Sequence, residues 1–175
     1  MLPNLLSKRI AHTQTGNLAC GGGTGGKYPQ NCETWNSGTG EWKVTHKLTG
    51  ENRNHHAAWE TKNGVYLVGG GGSAERTSEL LKPDGTITEG FALKDKDTMA
   101  HACAIPDPEN NELILTGGWG QGGKVRVYGE SGWKRDMPSL NQGRFGHGCT
   151  SFIQNGKRVS NDIIGIVRSK VKIIL

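Results

Sequence analysis

The sequence has few aromatic residues and no long hydrophobic run. Aromatics make up 6% of its 175 residues, and no segment is long and apolar enough to span a bilayer as a helix, so we expect no membrane partner. The short apolar run within residues 1–10 is followed by Lys8 and Arg9 instead of being preceded by them, which is atypical of a signal peptide. No Asn-x-Ser/Thr acceptor occurs, which argues against a glycosylated secreted domain.

Positive charge is scarce outside the C-terminal tail. The net charge is +5, but residues 157–175 hold five Lys or Arg against one Asp, so +4 of it lies there and +1 in everything before. A nucleic-acid surface needs Lys and Arg clustered on the folded part of the chain. The sequence therefore predicts no nucleic-acid partner.

Glycine, by contrast, is abundant, at 28 residues, and it recurs in a pattern. Three segments look like an apolar strand that ends in a glycine pair: NLACGG at 17–22, VYLVGG at 65–70 and LILTGG at 113–118. The pairs are Gly21–Gly22, Gly69–Gly70 and Gly117–Gly118, two steps of 48 residues. Glycine at such a point takes a positive φ or lets backbone approach closely, and the constant step indicates a structural repeat.

Three further features recur in the same order. One is Arg-x-x-His: Arg9/His12, Arg53/His56 and Arg144/His147, with Thr98 and His101 in the remaining copy. Another is a short strand after the glycine loop: CETW at 32–35, SELL at 78–81 and VRVY at 125–128. The last is a turn that leads to Trp42 or Trp133, and to Ile87 in the middle copy. Four features in one order, three times over, predict a repeated unit.

Each unit fits four short antiparallel strands. The apolar groups are bounded by Gly, Asn, Asp and Pro, and Asn63-Gly64 and Asp84-Gly85 are typical of tight turns. Such a sheet buries its faces only against neighbouring units. We therefore predict an all-β fold, a partial β-propeller of about three four-stranded blades plus the start of a fourth, with Trp and aliphatic residues between blades. It covers residues 9–158, in repeats at about 9–50, 53–95, 98–140 and 144–158, and an off-pattern tail follows at 159–175.

These units resemble kelch repeats. The resemblance rests on Arg-x-x-His, the strand ending in Gly-Gly, the Glu or Val before an apolar pair, and the Gly-x-Trp or Gly-Trp turn. Phrases such as TSELLKPDG and LNQGRFGHGCTSF are similar to extracellular kelch-type propellers related to the galactose oxidase central domain. The resemblance implies a six- or seven-bladed ring with loops at its two rims, of which this chain supplies a part.

The pattern stops inside the fourth unit. Residues 144–152 fit a first strand, but the chain then reads SNDIIGIVRSKVKIIL at 160–175, without a glycine pair. We expect a truncated or alternatively spliced product, or a gene-model error; the alternative is a genuine tail whose IIGIV segment pairs as a strand. A truncated product with no independent function is one alternative to the binding function given below. Apolar blade faces left in water lose about 25 cal/mol per Å2 of burial, so we also expect self-association through the open propeller edges.

Two glycine-rich loops imitate phosphate-binding motifs. GGGTGGKY at 21–28 fits G-x-x-x-x-G-K, but Tyr28-Pro29 stands where a phosphate loop has Ser or Thr and then a helix. GWGQGGK at 118–124 has the same form at the same repeat position. Two such loops in register are typical of hairpin connections. The sequence therefore predicts no nucleotide and no other cofactor.

The repeated histidines do not form a metal motif. Metal ligands must converge, whereas equivalent residues of successive blades lie around a ring. We interpret these histidines as structural residues that bond backbone near the first strand, and we predict no metal and no catalytic residue. The resemblance also raises an alternative, a fragment of an extracellular copper carbohydrate oxidase, whose relatives hold copper with tyrosines and histidines and link one tyrosine to cysteine. Tyr28, Tyr66 and Tyr128 are not placed to suggest that linkage.

The four cysteines are the one covalent signal. Cys20 ends a strand and Cys32 begins the next, across the glycine loop, so the two either form a disulfide or remain free thiols. Cys103 and Cys149 each follow a repeated histidine by two residues. Because the two cysteines occupy equivalent positions on adjacent blades, a bond between them is disfavoured. We interpret both as small buried apolar residues. A Cys20–Cys32 bond would imply an oxidising compartment, which favours an extracellular over a cytoplasmic location.

Taken together, these features favour a non-catalytic module that binds a protein or a glycan through its rim loops. Recognition residues concentrate on loops held by a rigid scaffold, here the loops at 21–30, 69–77 and 117–124. Tyr28 and Trp119 lie in two of these loops. They are the candidate anchors, because aromatic residues carry much of the binding energy at interfaces; the alternative is that both pack on the neighbouring loop.

Overall fold

The computed structural model describes residues 4–49, 53–72, 76–94 and 99–149, together with the backbone of strands at 152–154 and 157–159. Thr98 and the tail at 160–175 lie outside the described residues. Short apolar groups between Gly, Asn and Asp form strands throughout. The strands are β1 (Thr13–Thr15), β2 (Leu18–Cys20), β3 (Asn31–Asn36), β4 (Glu41–Lys47), β5 (Ala57–Thr61), β6 (Gly64–Val68), β7 (Thr77–Leu81), β8 (Ile87–Ala92), β9 (Cys103–Asp107), β10 (Glu112–Thr116), β11 (Val125–Gly129), β12 (Gly132–Met137), β13 (Phe152–Gln154) and β14 (Lys157–Val159).

Each run of four consecutive strands forms one antiparallel sheet, which we call a blade. Blade 1 is β1-β2-β3-β4, blade 2 is β5-β6-β7-β8 and blade 3 is β9-β10-β11-β12, all paired in chain order. β13 pairs with β14, and the first strands of successive blades contact one another. The predicted all-β arrangement of three four-stranded blades and the start of a fourth is confirmed. Among the described residues, no helix has the length and apolarity that a membrane crossing requires.

The core consists of layers between blades. Alternate residues of a strand point to opposite faces of its sheet, so blade 2 packs on blade 1 with one face and on blade 3 with the other. Between blades 1 and 2, the side chains of Leu18 and Cys20 meet Leu67 and Leu81. The layer between blades 2 and 3 is larger and more aromatic; it contains Trp59, Tyr66, Phe91, Leu113, Leu115 and Tyr128. A third apolar group lies on the face of blade 3 that points away from blade 2, and it contains Ile105, Ile114 and Val127 of blade 3.

The glycine pair and the Arg-x-x-His motif recur together because they touch. A Cβ on Gly117 would lie 2.2 Å from the carbonyl oxygen of Arg144 and 2.9 Å from Cε1 of His147. Gly117 also has a φ of 62°, a region that is strained for L side chains. The first glycine of the pair is therefore where the entry segment of the next repeat, the stretch that leads into its first strand, crosses the blade.

In blades 1 and 2, the repeated arginine ties the entry segment to the third strand of the same blade. Arg53 Nε donates to Glu79 Oε2 at 2.9 Å, and its Nη1 donates to the carbonyl oxygen of Gly69 at 2.8 Å. Arg9 forms the equivalent ion pair with Glu33. These four charged side chains are at most 4% exposed. Burial raises the pKa of Glu33, but the bonds from Arg9 and from backbone amides outweigh it and hold the pKa below its usual value.

The third repeat lies one residue away from its predicted register. In blade 3, Cys103 on β9 pairs with Thr116, the residue before the glycine pair. In blade 2, Ala57 on β5 pairs with Val68, which also directly precedes a glycine pair. Counting back from these residues makes His101 equivalent to His55. The positive φ values of these two histidines, 58° and 50°, agree with this. Assigning His101 to the repeated histidine was therefore wrong: Ala102 occupies that place, and Met99 occupies the place of the arginine.

Both cysteine pairs form disulfides. Cys20 and Cys32 are directly opposed on β2 and β3, with Cα atoms 4.1 Å apart, so the candidate bond is present. Cys103 and Cys149 are also bonded, with Cα atoms 5.9 Å apart. The prediction that these two would remain unbonded apolar residues was wrong.

The register of blade 3 explains the second disulfide. Cys103 is equivalent to Ala57, which packs toward the next blade, in the layer shared with blade 3. Cys149 is equivalent to Ala58, which packs toward the preceding blade, in the layer shared with blade 1. The two cysteines are therefore not equivalent: one faces forward and the other faces back, so that their sulfurs meet between the repeats.

The repeated tryptophans lie on outer strands and not deep between blades, contrary to expectation. Trp133 is 43% exposed, and Lys94 of blade 2 lies over its ring, with Nζ 3.8 Å from the centroid. Trp42 packs on Trp35 of its own blade, with ring centroids 5.6 Å apart. The tryptophan buried between blades is Trp59 on β5, which is 1% exposed.

Candidate binding surface on the loop face

Entry segments and glycine-rich loops lie on the same edge of the blades, which we call the loop face. Each entry segment carries two variable residues between the arginine place and the histidine place. In the first place stand Ile10, Asn54, Ala100 and Phe145, and in the second stand Ala11, His55, His101 and Gly146. Arg53 and His56 are buried, whereas Ile10 and Phe145 are 69% and 55% exposed. The repeat motif thus supplies the support, and the residues inside it supply the surface.

Backbone hydrogen bonds join the second variable places from blade to blade. His55 N donates to the Ala11 carbonyl oxygen at 2.9 Å, His101 N to the His55 oxygen at 3.0 Å, and Gly146 N to the His101 oxygen at 2.9 Å. All four residues have φ between 50° and 60°. Because each segment is bonded to the one before it, the residues of different repeats are held in fixed relative positions.

Four rings from three repeats form a cluster on this ladder. His55 and His101 are stacked, with centroids 3.6 Å apart. Phe145 meets Trp119 edge-on at 4.8 Å and lies 6.2 Å from His101. Trp119 is 61% exposed. A contiguous group of partly exposed rings on a hydrogen-bonded frame offers stacking area with little loss of side-chain freedom on binding.

Beside the stacked histidines lies a cavity of about 220 Å3 between blades 1 and 2. Its walls include Ile10, Tyr28, Asn54 and His55. A Cβ on Gly23 would lie 2.5 Å from Cδ1 of Tyr28, so the tyrosine ring rests on bare glycine backbone while remaining 42% exposed. The cavity therefore has an aromatic wall, an imidazole wall and one amide side chain.

Burial keeps the histidines near this cavity uncharged. It lowers the pKa of His55, and the neighbouring His101 lowers it further. Burial lowers the pKa of His56 to about 3, with smaller effects from Arg53, His12 and His55. His55 and His56 are therefore neutral at pH 7, and the cavity wall that His55 forms is an unprotonated ring.

The repeated histidines do not share the backbone bond expected of them. His147 Nε2 lies 2.9 Å from the hydroxyl oxygen of Thr116, a side-chain partner. Neither ring nitrogen of His56 has a hydrogen-bond partner among the described protein atoms. Their common feature is instead close packing against the first glycine of the preceding pair, seen for His56 on Gly21 and His147 on Gly117.

A second, larger cavity lies on the opposite edge of the blades. It has a volume of about 590 Å3 between blades 1 and 2, and polar residues such as Thr34, Thr45, Lys62 and Asp84 contribute to its walls. His46 is held there by Lys82, whose carbonyl oxygen lies 3.0 Å from Nε2. None of the exposed aromatic rings of the loop face reaches it.

The structure places the two predicted anchors on the loop face but not together. Trp119 belongs to the ring cluster, and Tyr28 lines the cavity on the other side of the stacked histidines. Sequence reasoning missed His55, Phe145 and Ile10. The available signal was that the two positions between arginine and histidine differ from repeat to repeat while their flanks recur, which is typical of a variable surface on a constant support.

Successive four-stranded antiparallel blades, packed face to face with their first strands in contact, define this chain as part of a β-propeller. A solved structure described as the structure of YjhT resembles it with a TM-score of 0.70 and 12% identity, over 85% of this chain and 57% of that one. A likeness at this identity shows the fold.

Sequence comparison does not define a family. No family model matches the chain. A curated relative, imidazole glycerol phosphate synthase subunit HisF of Idiomarina loihiensis, is 30% identical over 88 residues, which are 50% of this chain and 30% of that protein. The chain thus spans 57% of the solved structure and less than a third of the curated relative. Within the described residues, no three His, Cys, Asp or Glu side chains are grouped so as to hold a metal ion.

Proposed function

We propose that the chain is a non-catalytic binding module of the kelch type, which recognises a protein or glycan partner through its loop face. The observation that carries this proposal is the ring cluster of His55, His101, Trp119 and Phe145. These side chains come from three repeats and are partly exposed, yet their backbones are held by hydrogen bonds between segments. Rigid exposed aromatics of this kind are typical of binding hot spots.

The contacts behind the repeat motif support the kelch assignment. The arginine binds the third strand of its own blade, and the histidine packs on the glycine pair of the preceding blade. The arginine therefore fixes the entry segment to its own blade, and the histidine joins that segment to the preceding blade. The motif and the fold point to the same architecture, and the variable residues within the motif are left for recognition.

The two disulfides support folding in an oxidising compartment. Disulfides persist in secreted and extracellular proteins and are rare in the cytosol. Cys20–Cys32 lies within blade 1, and Cys103–Cys149 lies between repeats. An extracellular module with a rigid aromatic loop face fits a role in recognition at or outside the cell surface.

The test is a binding screen with matched tryptophan variants. The chain is screened against a phage library of random peptides and an immobilised glycan array, and each ligand found is titrated against Trp119→Ser and Trp133→Ser. Trp133 is also an exposed tryptophan, but it lies on the outer strand β12. We expect Trp119→Ser to weaken binding at least about tenfold and Trp133→Ser to leave it within about twofold. Equal loss in both variants, or the absence of any ligand, would overturn the proposal.

A further inference from the structure

The two disulfides differ in burial and in what they connect. Cys20 and Cys32 are 1% and 0% exposed and join two strands of one blade. Cys103 and Cys149 are both partly exposed, and their bond joins β9 to the entry segment of the fourth repeat. Thiol–disulfide exchange requires a thiolate to reach one of the sulfurs. Of the two bonds, the second therefore combines access with a connection between repeats.

The segment held by this bond contributes one of the four rings of the ring cluster. The segment spans residues 144–149 and carries Phe145, whose ring packs edge-on against Trp119 at 4.8 Å. Its backbone is attached to blade 3 through Gly118 N, which donates to the Arg144 carbonyl oxygen at 2.9 Å. Gly146 N donates to the His101 carbonyl oxygen at the same distance. The disulfide lies three residues beyond Gly146 and is the covalent part of this attachment.

We propose that Cys103–Cys149 is a site of reversible thiol–disulfide exchange with dithiol reductants, and that its state controls whether Phe145 stays packed on Trp119. The inference extends the proposed function, because the ring cluster is the binding surface. With the bond intact the cluster is complete. With the bond reduced, only the chain connection from β12 and noncovalent contacts hold the segment against blade 3, and it opens more often.

The exchange balances as a two-electron transfer. One thiolate of the dithiol attacks one sulfur of the Cys103–Cys149 bond, forms a mixed disulfide and releases the other cysteine, which takes up a proton. The second thiol of the reagent then attacks the mixed disulfide and releases the remaining cysteine. The protein gains two thiols, and the reagent leaves as its own cyclic disulfide.

Cys20–Cys32 serves as the internal control of the experiment. The full chain is titrated with dithiothreitol, alkylated with iodoacetamide and analysed by peptide mass spectrometry. We expect Cys103 and Cys149 to be alkylated at a dithiothreitol concentration about tenfold below that needed for Cys20 and Cys32. At that stage, amide hydrogen exchange at Gly118 and Gly146 should quicken about tenfold, while exchange in β6 stays unchanged.

Two results would overturn the inference. One is reduction of both pairs over the same concentration range. The other is selective reduction with unchanged exchange at Gly118 and Gly146. A Cys103→Ala/Cys149→Ala variant should show the faster exchange without reductant; if this variant does not fold, the titration of the unmodified chain still decides. No loop-face ligand is used, so failure of the binding proposal and failure of this one are separate outcomes.

Discussion

Gly21 and His56 meet across the boundary between blades 1 and 2. A Cβ on Gly21 would lie 2.9 Å from Cε1 of the imidazole and 2.5 Å from the carbonyl oxygen of Arg53. The Gly22 amide next to it donates to that same carbonyl oxygen at 2.9 Å. The boundary therefore depends on a residue without a side chain, and the contact explains why glycine pairs and Arg-x-x-His recur together along the chain.

Replacing Gly21 by alanine should destabilise the fold strongly. The substitution places a methyl group against backbone and an aromatic ring, at a φ of 59°. The positive φ alone costs about 1 kcal/mol or more, and the overlap should bring the total to roughly 3 kcal/mol. Gly25→Ala is the matched control, because Gly25 has a φ of 56° but no atom within 4 Å of its Cβ position. Urea unfolding of both variants measures the difference, and equal losses would contradict the steric account.

The architecture could be predicted from the sequence because its signals are local. Apolar groups, glycine pairs and tight turns lie within a few residues of one another, so the second and third strands of each blade fall where the pattern placed them. The register of the third repeat could not be predicted, because both anchors of its motif are replaced. Met99 stands in the arginine place and Ala102 in the histidine place. His101, one residue too early, was the only histidine left to align.

That one-residue error carried through to the cysteines. With His101 taken as the repeated histidine, Cys103 and Cys149 become equivalent, and equivalent residues on adjacent blades point the same way. In the true register they point toward each other and form a disulfide. The ring cluster could not be predicted for a different reason: its members are spread between residues 55 and 145, and they meet only once the blades are packed.

Removing one partner of a buried ion pair should cost far more than removing both. Arg53→Met leaves Glu79 charged and without its guanidinium, which we expect to cost about 3–5 kcal/mol. Arg53→Met/Glu79→Gln removes both charges and should recover at least about half of that loss. The third repeat already carries methionine in the arginine place, at Met99, which is 1% exposed. Chemical denaturation of the single and double variants measures the coupling.

Arg135 provides the comparison for this pair. It donates to Glu112 through both terminal nitrogens, at 2.8 and 2.7 Å, but its side chain is 52% exposed. Lys134 also contacts Glu112, with Nζ 2.6 Å from Oε1. We therefore expect Arg135→Met to cost less than about 1 kcal/mol. If Arg135→Met costs as much as Arg53→Met, burial is not what sets the difference.

Gly23 should control the position of Tyr28 and have little effect on the fold. An added Cβ would meet the tyrosine ring at 2.5 Å, and Gly23 is not among the glycines with positive φ. In Gly23→Ala the ring should leave its place and open the cavity wall, while the free energy of unfolding changes by about 1 kcal/mol or less. Nuclear magnetic resonance of the Tyr28 ring protons reports the movement. An unchanged ring environment in a folded variant would show that the glycine does not position it.

The buried imidazole of His56 should make the protein sensitive to mild acid. Its pKa is about 3 in the folded protein, against 6.5 when unperturbed. Below pH 6.5 the imidazole is therefore protonated in the unfolded chain but not in the folded one, so the free energy of unfolding falls as the pH falls. A single group of this kind costs about 1.4 kcal/mol per pH unit until the folded pKa is reached. His12 and His147, whose pKa values burial also lowers, act in the same direction.

Urea unfolding at pH 7.5, 6.0 and 5.0 tests this, with His56→Gln as the paired variant. The unmodified protein should lose stability steadily across the range, above the pH at which carboxylates begin to protonate. In His56→Gln the slope below pH 6.5 should be smaller by about one proton, whatever the absolute stability of the variant, since glutamine does not titrate. Parallel slopes in the two proteins would mean that His56 is protonated in the folded state, and that the contact with Gly21 accommodates an imidazolium.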